Sequence, residues 1–154
     1  MQQIYNMYFP DFNPHSKVWI YNSDRRLKLS EQKIINNELK KFVNSWQAHN
    51  LNLKAEAILE HNYFIILVVD ESNVKASGCS IDTSVKLIKS IGERFSVNFF
   101  NRLNLVIEKQ GEYNLVHISD IKKYPQWNVF NPMITDLSSL REKWKMRVID
   151  SPFF

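Results

Sequence analysis

The most apolar stretch of the chain runs from Tyr63 to Asp70, and its sequence YFIILVVD predicts the central strand of a sheet. Ala55 to Glu60 precedes this run and also has the composition of a strand. His61 and Asn62 lie between the two segments, and so short a connection is typical of an antiparallel hairpin. We therefore expect a hairpin whose second strand is buried in the middle of the fold.

An earlier strand is predicted from Lys17 to Asn22, where β-branched and aromatic residues alternate. Val18 and Ile20 share one face, which we expect to pack on helices. Trp19 and Tyr21 share the opposite face, and two such rings are too much apolar surface to leave in water. This second face therefore needs a cover of its own.

Two amphipathic helices are predicted between the strands. The first follows Ser30, a good N-cap, and should stop near His49 and Asn50, because Asn tolerates a left-handed helix cap. The second starts near Ser80, and its apolar positions recur at the helical period: Ile81, Val85, Leu87, Ile88, Ile91 and Phe95.

The C-terminal third predicts a second hairpin. Leu103 to Glu108 and Tyr113 to Ile118 alternate in polarity around a Gln-Gly turn. Ser119 to Asn131 has an irregular pattern, and the later segment MRVID is expected to form a closing strand.

A last short helix is predicted after Thr135, with Leu137, Leu140 and Trp144 on its apolar side. We expect this helix and an N-terminal arm from Tyr5 to Phe12 to cover the aromatic face of the first strand. A chain that closes its own sheet in this way is expected to be a monomer or a weak homodimer.

The order strand, helix, strand, strand, helix, strand is typical of the split βαβ, or ferredoxin-like, pattern. We predict an α+β fold of this kind, an antiparallel sheet with an added hairpin strand and a C-terminal helix. A length of 154 residues suits a single domain, residues 1–154, in which residues 1–16 form a non-regular arm over the core.

The formal net charge of +4 permits nucleic-acid binding without favouring it. Nucleic-acid binders usually carry a clustered basic face, whereas the densest basic groups here are small: Arg25, Arg26 and Lys28, and Lys122 with Lys123. Nucleic acid is therefore not the expected partner, although weak binding stays open as a third function.

Cys79 is the only cysteine, so an internal disulfide is not possible and a reducing, cytoplasmic compartment is expected. The first residues, MQQIYNMYFPDF, have neither the basic nor the apolar region of a signal peptide. The longest apolar run is far shorter than the ~20 residues of a membrane-spanning helix. We expect no membrane segment.

Four blocks, WIYNSDRRL, HNYFIILVVDES, SGCSIDTSV and VFNPM, together resemble a family of small bacterial proteins that are often labelled "ABC transporter ATPase". The similarity extends over most of the chain from Trp19 onward, and SGCSID is its most specific part. The chain departs from the family at Pro132, where a second Asn is usual. The resemblance implies no established activity, and the label itself is not supported. A phosphate-binding GxxxxGK[ST] loop cannot be written with only Gly78, Gly92 and Gly111.

Polar side chains are concentrated after the central strand and at the start of the second helix. We predict a ligand pocket formed there by Asp70, Ser77, Gly78, Cys79, Ser80 and Asp82. Amides at a helix start bind anions, and carboxylates hold a metal or accept hydrogen bonds from a sugar or a base. The alternative is structural: Ser80 caps the helix, Asp82 complements its dipole in the first turn, and the acidic residues are solvated.

Cys79 also has two interpretations. Helix amides favour a thiolate, which makes Cys79 the candidate nucleophile of a cysteine-dependent enzyme or redox protein. His61 is a poor partner for it, because it lies roughly 30 Å along the strand from Asp70 at ~3.3 Å per residue. We expect Cys79 instead to be a small buried residue.

The function expected from the sequence is therefore that of a non-enzymatic cytosolic protein that binds an unknown small molecule or protein. No cofactor and no metal are expected, because the four histidines do not have the spacing of metal ligands.

Overall fold

A computed structural model of the chain describes residues 8–154. Its three α-helices are α1 (Leu29–Ser45), α2 (Gly78–Phe95) and α3 (Leu137–Lys143). Its strands are β1 (Lys17–Asn22), β2 (Gln47–Ala48), β3 (Leu51–Asn52), β4 (Lys54–Glu60), β5 (Phe64–Asp70), β6 (Asn104–Lys109), β7 (Glu112–His117), β8 (Asn128–Phe130) and β9 (Lys145–Arg147). The α+β class predicted from the sequence is confirmed. Within residues 8–154, no helix has the length and apolar character needed to cross a membrane.

The first sheet has β5 in the middle, antiparallel to β1 on one side and to β4 on the other. All residues from Phe64 to Val69 are 0% exposed. Alternate side chains enter two different cores, since Ile65, Leu67 and Val69 meet α1 and α2 while the other three meet α3 and the second sheet. Burial on both faces explains why β5 is a continuous apolar run and does not alternate in polarity.

The faces of β1 are the reverse of those expected. Residues opposite each other in an antiparallel pair lie on the same face, and Trp19 pairs with Leu67 on the side of α1 and α2. Val18 and Ile20 lie on the other face, packed with α3. The predicted cover is present but lies over the aliphatic residues, because the register with β5 fixes which face each β1 residue takes.

The cover consists of α3 and the part of the arm that the structure describes. Phe9 and Phe12 belong to the same core as α3, and Arg141 of α3 donates to the carbonyl oxygens of Phe9 (2.7 Å) and Phe12 (3.2 Å). Tyr5, also assigned to the arm, lies outside the described residues. Asp136, not Thr135, is the N-cap of α3, and its carboxylate accepts from the Ser139 amide at 2.8 Å.

Helix α1 differs from the sequence prediction at both ends. It begins at Leu29, so Ser30 lies inside it, and the Glu31 carboxylate accepts from the Lys28 amide at 2.8 Å. It ends at Ser45. Positive φ values at His49 (52°) and Asn50 (64°) form the turn of the β2–β3 hairpin and not a helix cap.

Helix α2 begins at Gly78, two residues before the predicted start, with Ser77 as its N-cap. Its buried positions are Ser80, Ser84, Ile88, Ile91 and Gly92, whereas Ile81, Val85 and Phe95 are only partly buried. The buried side of the helix therefore begins with two serines and continues with isoleucines, and Gly92 allows the chain that follows the helix to pass close to it. A Cβ at Gly92 would collide with the Val97 carbonyl oxygen.

The second sheet has the order β7-β6-β8-β9. The β6–β7 hairpin is confirmed, with positive φ at Gln110 (51°) and Gly111 (83°). The segment expected to be irregular contains a 3-10 helix, Ile118–Lys123, and β8. MRVID is only partly a strand, because β9 ends at Arg147 and a 3-10 turn follows.

The ferredoxin-like arrangement is not confirmed. Its fourth strand would lie beside β1, whereas β6 pairs with β7 and β8 in the second sheet. The order β1-β5-β4 agrees with the other three strands of that pattern.

His61, in the turn between β4 and β5, joins the two sheets. Its Nδ1 atom lies 3.0 Å from the Tyr113 hydroxyl oxygen, and the two rings stack with centroids 5.2 Å apart. Phe130 and Trp144 pack on the same imidazole. Burial in this aromatic cluster, and to a smaller extent the charge of Lys145, lower the pKa of His61 to about 4.

We predict that His61 makes the protein less stable in mild acid. An unfolded histidine has a pKa of about 6.5, so between pH 6.5 and about 4 the unfolded chain binds the proton and the folded chain does not. Stability should be fully present above pH 6.5 and fall as the pH drops through this window. In His61→Asn, which tolerates the left-handed backbone at this position, urea midpoints should depend less on pH. Parallel pH profiles for the two proteins would contradict this role.

Candidate functional site

A cleft of about 670 Å³ lies between the β2–β3 hairpin and the start of α2. We call it the hairpin cleft, and its walls are Gln47, His49, Asn50, Ser77, Gly78, Cys79, Ser80 and Thr83. The Trp46 indole, just after α1, holds the hairpin in place by donating to the Ser80 carbonyl oxygen at 2.8 Å. The Leu53 amide closes the base of the hairpin on the Trp46 carbonyl oxygen at 3.0 Å.

The hydroxyl groups of the cleft serve the fold. The Ser77 hydroxyl accepts from the Ser80 amide at 3.1 Å, and the Ser80 hydroxyl accepts from the Ser77 amide at 2.7 Å. Ser80 is 3% exposed. This reciprocal pair is a capping box. Ser80 takes part in the cap, as the structural alternative expected, but the N-cap residue is Ser77.

Two backbone donors of the cleft are not used in this way. Within residues 8–154, no hydrogen-bond partner is found for the amides of Gly78 and Cys79, the first two residues of α2. The first amides of a helix have no partner inside the helix and carry its partial positive charge. They therefore form the electropositive part of the cleft.

Cys79 is exposed, so the expectation that it is buried was wrong. The residues of α2 that face the sheet are Ser80, Ser84 and Ile88, and this register turns Cys79 and Thr83 outward. The Thr83 hydroxyl donates to the backbone carbonyl oxygen of Cys79 at 2.9 Å, and not to its thiol. The thiol and the hairpin are thus on the same side of α2.

The two predicted aspartates are not among the walls of the cleft. Asp70 accepts from both the amide (2.9 Å) and the hydroxyl (2.6 Å) of Ser72, and these hydrogen bonds lower its pKa. Lys54 lies 3.7 Å from the same carboxylate. Asp82 is exposed and is the fifth residue of α2, so it is not in the first turn as expected. The predicted pocket therefore divides into a cleft and a separate acidic loop.

His49 is the cleft residue that the sequence did not indicate. It is brought opposite α2 by the β2–β3 hairpin, whose two-residue strands are too short to give a hydrophobic period. Two consecutive residues that favour left-handed backbone were the only signal. His61 is bonded to Tyr113 and is not among the residues that line the cleft.

The lining of the hairpin cleft contains no acidic side chain and has amide, imidazole, hydroxyl and thiol groups. Within the described part of the chain, no group of three His, Cys, Asp or Glu residues is placed to hold a metal ion. An anionic group is the ligand that best fits two free amides at a helix start.

Comparisons with known proteins add no relative, since no protein-family model, no curated protein and no solved structure matches the chain.

We predict that the Cys79 thiol reacts in the folded protein. It is exposed and is the only cysteine, so any modification reports on this residue alone. A disulfide reagent such as dithionitrobenzoate should titrate one thiol per chain without denaturant, and Cys79→Ser should give no signal. A thiol that reacts only after unfolding would show that the start of α2 is covered.

Proposed function

We propose that this protein is a non-enzymatic binding domain and that the hairpin cleft is its ligand-binding site. The ligand is a small molecule with an anionic group, such as a phosphate or a carboxylate. The observation that carries the proposal is the pair of amides of Gly78 and Cys79, two residues that line the cleft and whose N–H groups have no partner within residues 8–154.

The electrostatics of α2 support an anion at this place. Helix α2 has 18 residues, and its aligned peptide dipoles leave a partial positive charge at the end that borders the cleft. Of the two predicted acids, Asp70 is held in its own loop by Ser72 and Lys54, and Asp82 follows the free amides on α2 but is not among the residues that line the cleft. No carboxylate in the lining competes with an incoming anion.

The hydrogen bonds of the lining side chains support binding more than catalysis. Ser77 and Ser80 use their hydroxyl groups to cap α2, so neither is available as a nucleophile. The side chains that remain for specificity are the amide of Asn50 and the imidazole of His49, because the Gln47 amide donates to the Asn52 Oδ1 atom at 3.0 Å and the Thr83 hydroxyl to the Cys79 carbonyl oxygen at 2.9 Å. These groups donate and accept hydrogen bonds without requiring a change of charge.

Two substitutions at one position test the proposal. Gly78→Pro removes one cleft amide at the first helical position, where proline is tolerated, and the extended Ser77 before it (φ −91°, ψ 165°) is compatible with proline. Gly78→Ala keeps the amide, and its Cβ would have no atom within 4 Å. In titrations with sodium phosphate at constant ionic strength, followed by backbone amide NMR shifts, wild type and Gly78→Ala should saturate alike. Gly78→Pro should bind about tenfold more weakly, the loss typical of a hydrogen bond to a charged group.

Equal phosphate affinity in the two Gly78 variants would contradict an amide-based anion site. Shifts that grow in proportion to phosphate, without saturation and over the whole surface, would contradict the site as well.

A second candidate function has one specific observation in its favour. Cys79 is exposed in the same cleft as His49, so a thiol and a possible base border one space. A cysteine-dependent enzyme or redox protein needs such a pair within hydrogen-bond reach. On this proposal His49 would be the base that accepts the proton of the thiol.

The pH dependence of alkylation distinguishes the two functions. If His49 activates the thiol, the rate of reaction of Cys79 with iodoacetamide should be high at neutral pH and fall in His49→Asn, which suits the left-handed backbone there (φ 52°). Identical rate profiles for wild type and His49→Asn would exclude the pair and leave the binding function.

We also propose that β1, α1, β4, β5 and α2 form a split βαβ unit of the ferredoxin-like type. In support, α1 connects two strands that flank β5 and are both antiparallel to it. We further propose that the chain belongs to the bacterial family that it resembles. A cytoplasmic location is part of the same proposal, because it agrees with a single unpaired cysteine.

A further inference from the structure

A second groove, of about 420 Å³, lies along the outer edge of β1. We call it the β1-edge groove. It is bounded by Val18–Tyr21 on one side and by Phe100, Arg102 and Met133–Thr135 on the other, with Val85 of α2 at its side. It lies beside β1, where a ferredoxin-like sheet would have its fourth strand, whereas β6 belongs to the second sheet.

The edge of β1 is paired at its two ends only. The Val18 amide donates to the Thr135 carbonyl oxygen at 3.0 Å, and Lys17 bridges to Asp136. At the other end Asn22 bridges to Phe100. The open part of the edge, between Val18 and Asn22, is about 13 Å long at ~3.3 Å per residue.

Ile20 has unused backbone groups at this edge. Backbone groups alternate in direction along a strand, and the Val18 amide points outward, so the N–H and C=O of Ile20 also point outward into the groove. No hydrogen-bond partner is found there for either group within residues 8–154. Ile20 is only 6% exposed. Buried backbone donors without a partner are rare in proteins, so a ligand or water is expected at this point.

Aromatic rings form the apolar part of the groove. Tyr21 and Phe100 meet edge to face with centroids 5.4 Å apart, and Trp19 borders the same space. Met133 is 66% exposed at the rim. A planar or branched apolar group would be covered by these side chains.

Arg102 is the only charged residue of the lining. Within the described residues it forms no salt bridge. Burial raises the pKa of Tyr21, while a hydrogen bond with Ser84 and the charge of Arg102 oppose that rise, which places the guanidinium within electrostatic reach of the groove. A guanidinium without a protein partner favours a carboxylate in this position.

We propose that the β1-edge groove binds a small N-acylated amino acid with an apolar side chain. Its amide N–H donates to the Ile20 C=O and one carboxylate oxygen accepts from the Ile20 N–H, since the N–H and the carboxyl group of one extended residue point the same way. Its side chain lies against Tyr21 and Phe100, and the other carboxylate oxygen binds Arg102. A long extended peptide does not fit, because Thr135 and Phe100 close the edge at both ends. This site is separate from the hairpin cleft and does not depend on it.

The probe for this site is N-acetyl-L-phenylalanine, and its matched control is N-acetyl-L-phenylalaninamide, which lacks only the negative charge. Added to the labelled protein, the acid should shift the Ile20 amide proton downfield in a saturable manner. The amide, and the acid with Arg102→Gln, should each bind about tenfold more weakly, because a charge-assisted hydrogen bond is lost. Arg102 is exposed, so Arg102→Gln should fold and melt as the wild type does.

A variant of the groove wall gives an independent test. Val85→Phe adds a ring where the probe is expected, and should abolish the Ile20 shift with little effect on the melting temperature, since Val85 is only partly buried. The Gly78→Pro variant should bind the probe as the wild type does, which separates this site from the hairpin cleft.

The proposal is overturned by any of three results. One is the lack of a saturable Ile20 shift up to about 10 mM acid. The second is equal affinity for the acid and its amide. The third is undiminished binding in Val85→Phe.

Discussion

The burial of β5 on both faces is the constraint on which the rest of the structure depends. Six consecutive side chains, Phe64 to Val69, are 0% exposed, and each contributes about 1.5–3 kcal/mol when it is removed from water. A strand with two apolar faces needs two covers. Helices α1 and α2 cover one face, and α3, the arm and the second sheet cover the other.

Both candidate sites follow from how these covers are built. On the helical side, α2 is buried through Ser80, Ser84 and Ile88, so its outward residue Cys79 and its first amides remain open beside the β2–β3 hairpin. On the other side, the second sheet takes β6 as its own strand, and the edge of β1 is left with Ile20 unpaired. Both sites are thus open spaces bordered by backbone amides that have no hydrogen-bond partner within residues 8–154.

Sequence patterns predicted the helices and strands better than the way in which these elements pack against each other. The apolar run of β5, the Gln-Gly hairpin and the existence of the helices were visible because each has a strong local signal. The face of Trp19 was mispredicted, because the register of a strand is set by its neighbour and not by its own alternation. Cys79 was mispredicted as buried because it was expected to precede the helix, whereas it is a helical residue, and the helix packs through Ser80, Ser84 and Ile88, which turns Cys79 outward. His49 entered the cleft through tertiary packing that no local pattern describes.

Native-state hydrogen exchange, followed residue by residue, tests this account most directly. If β5 is the shared centre of both cores, the amides from Ile65 to Val69 should exchange only through global unfolding and be the slowest in the chain. The amides of Gly78 and Cys79, without partners in the described structure, should exchange at close to the rate of an unprotected peptide. Exchange of β5 as fast as that of the edge strand β4, or strong protection of Gly78 and Cys79, would contradict the account.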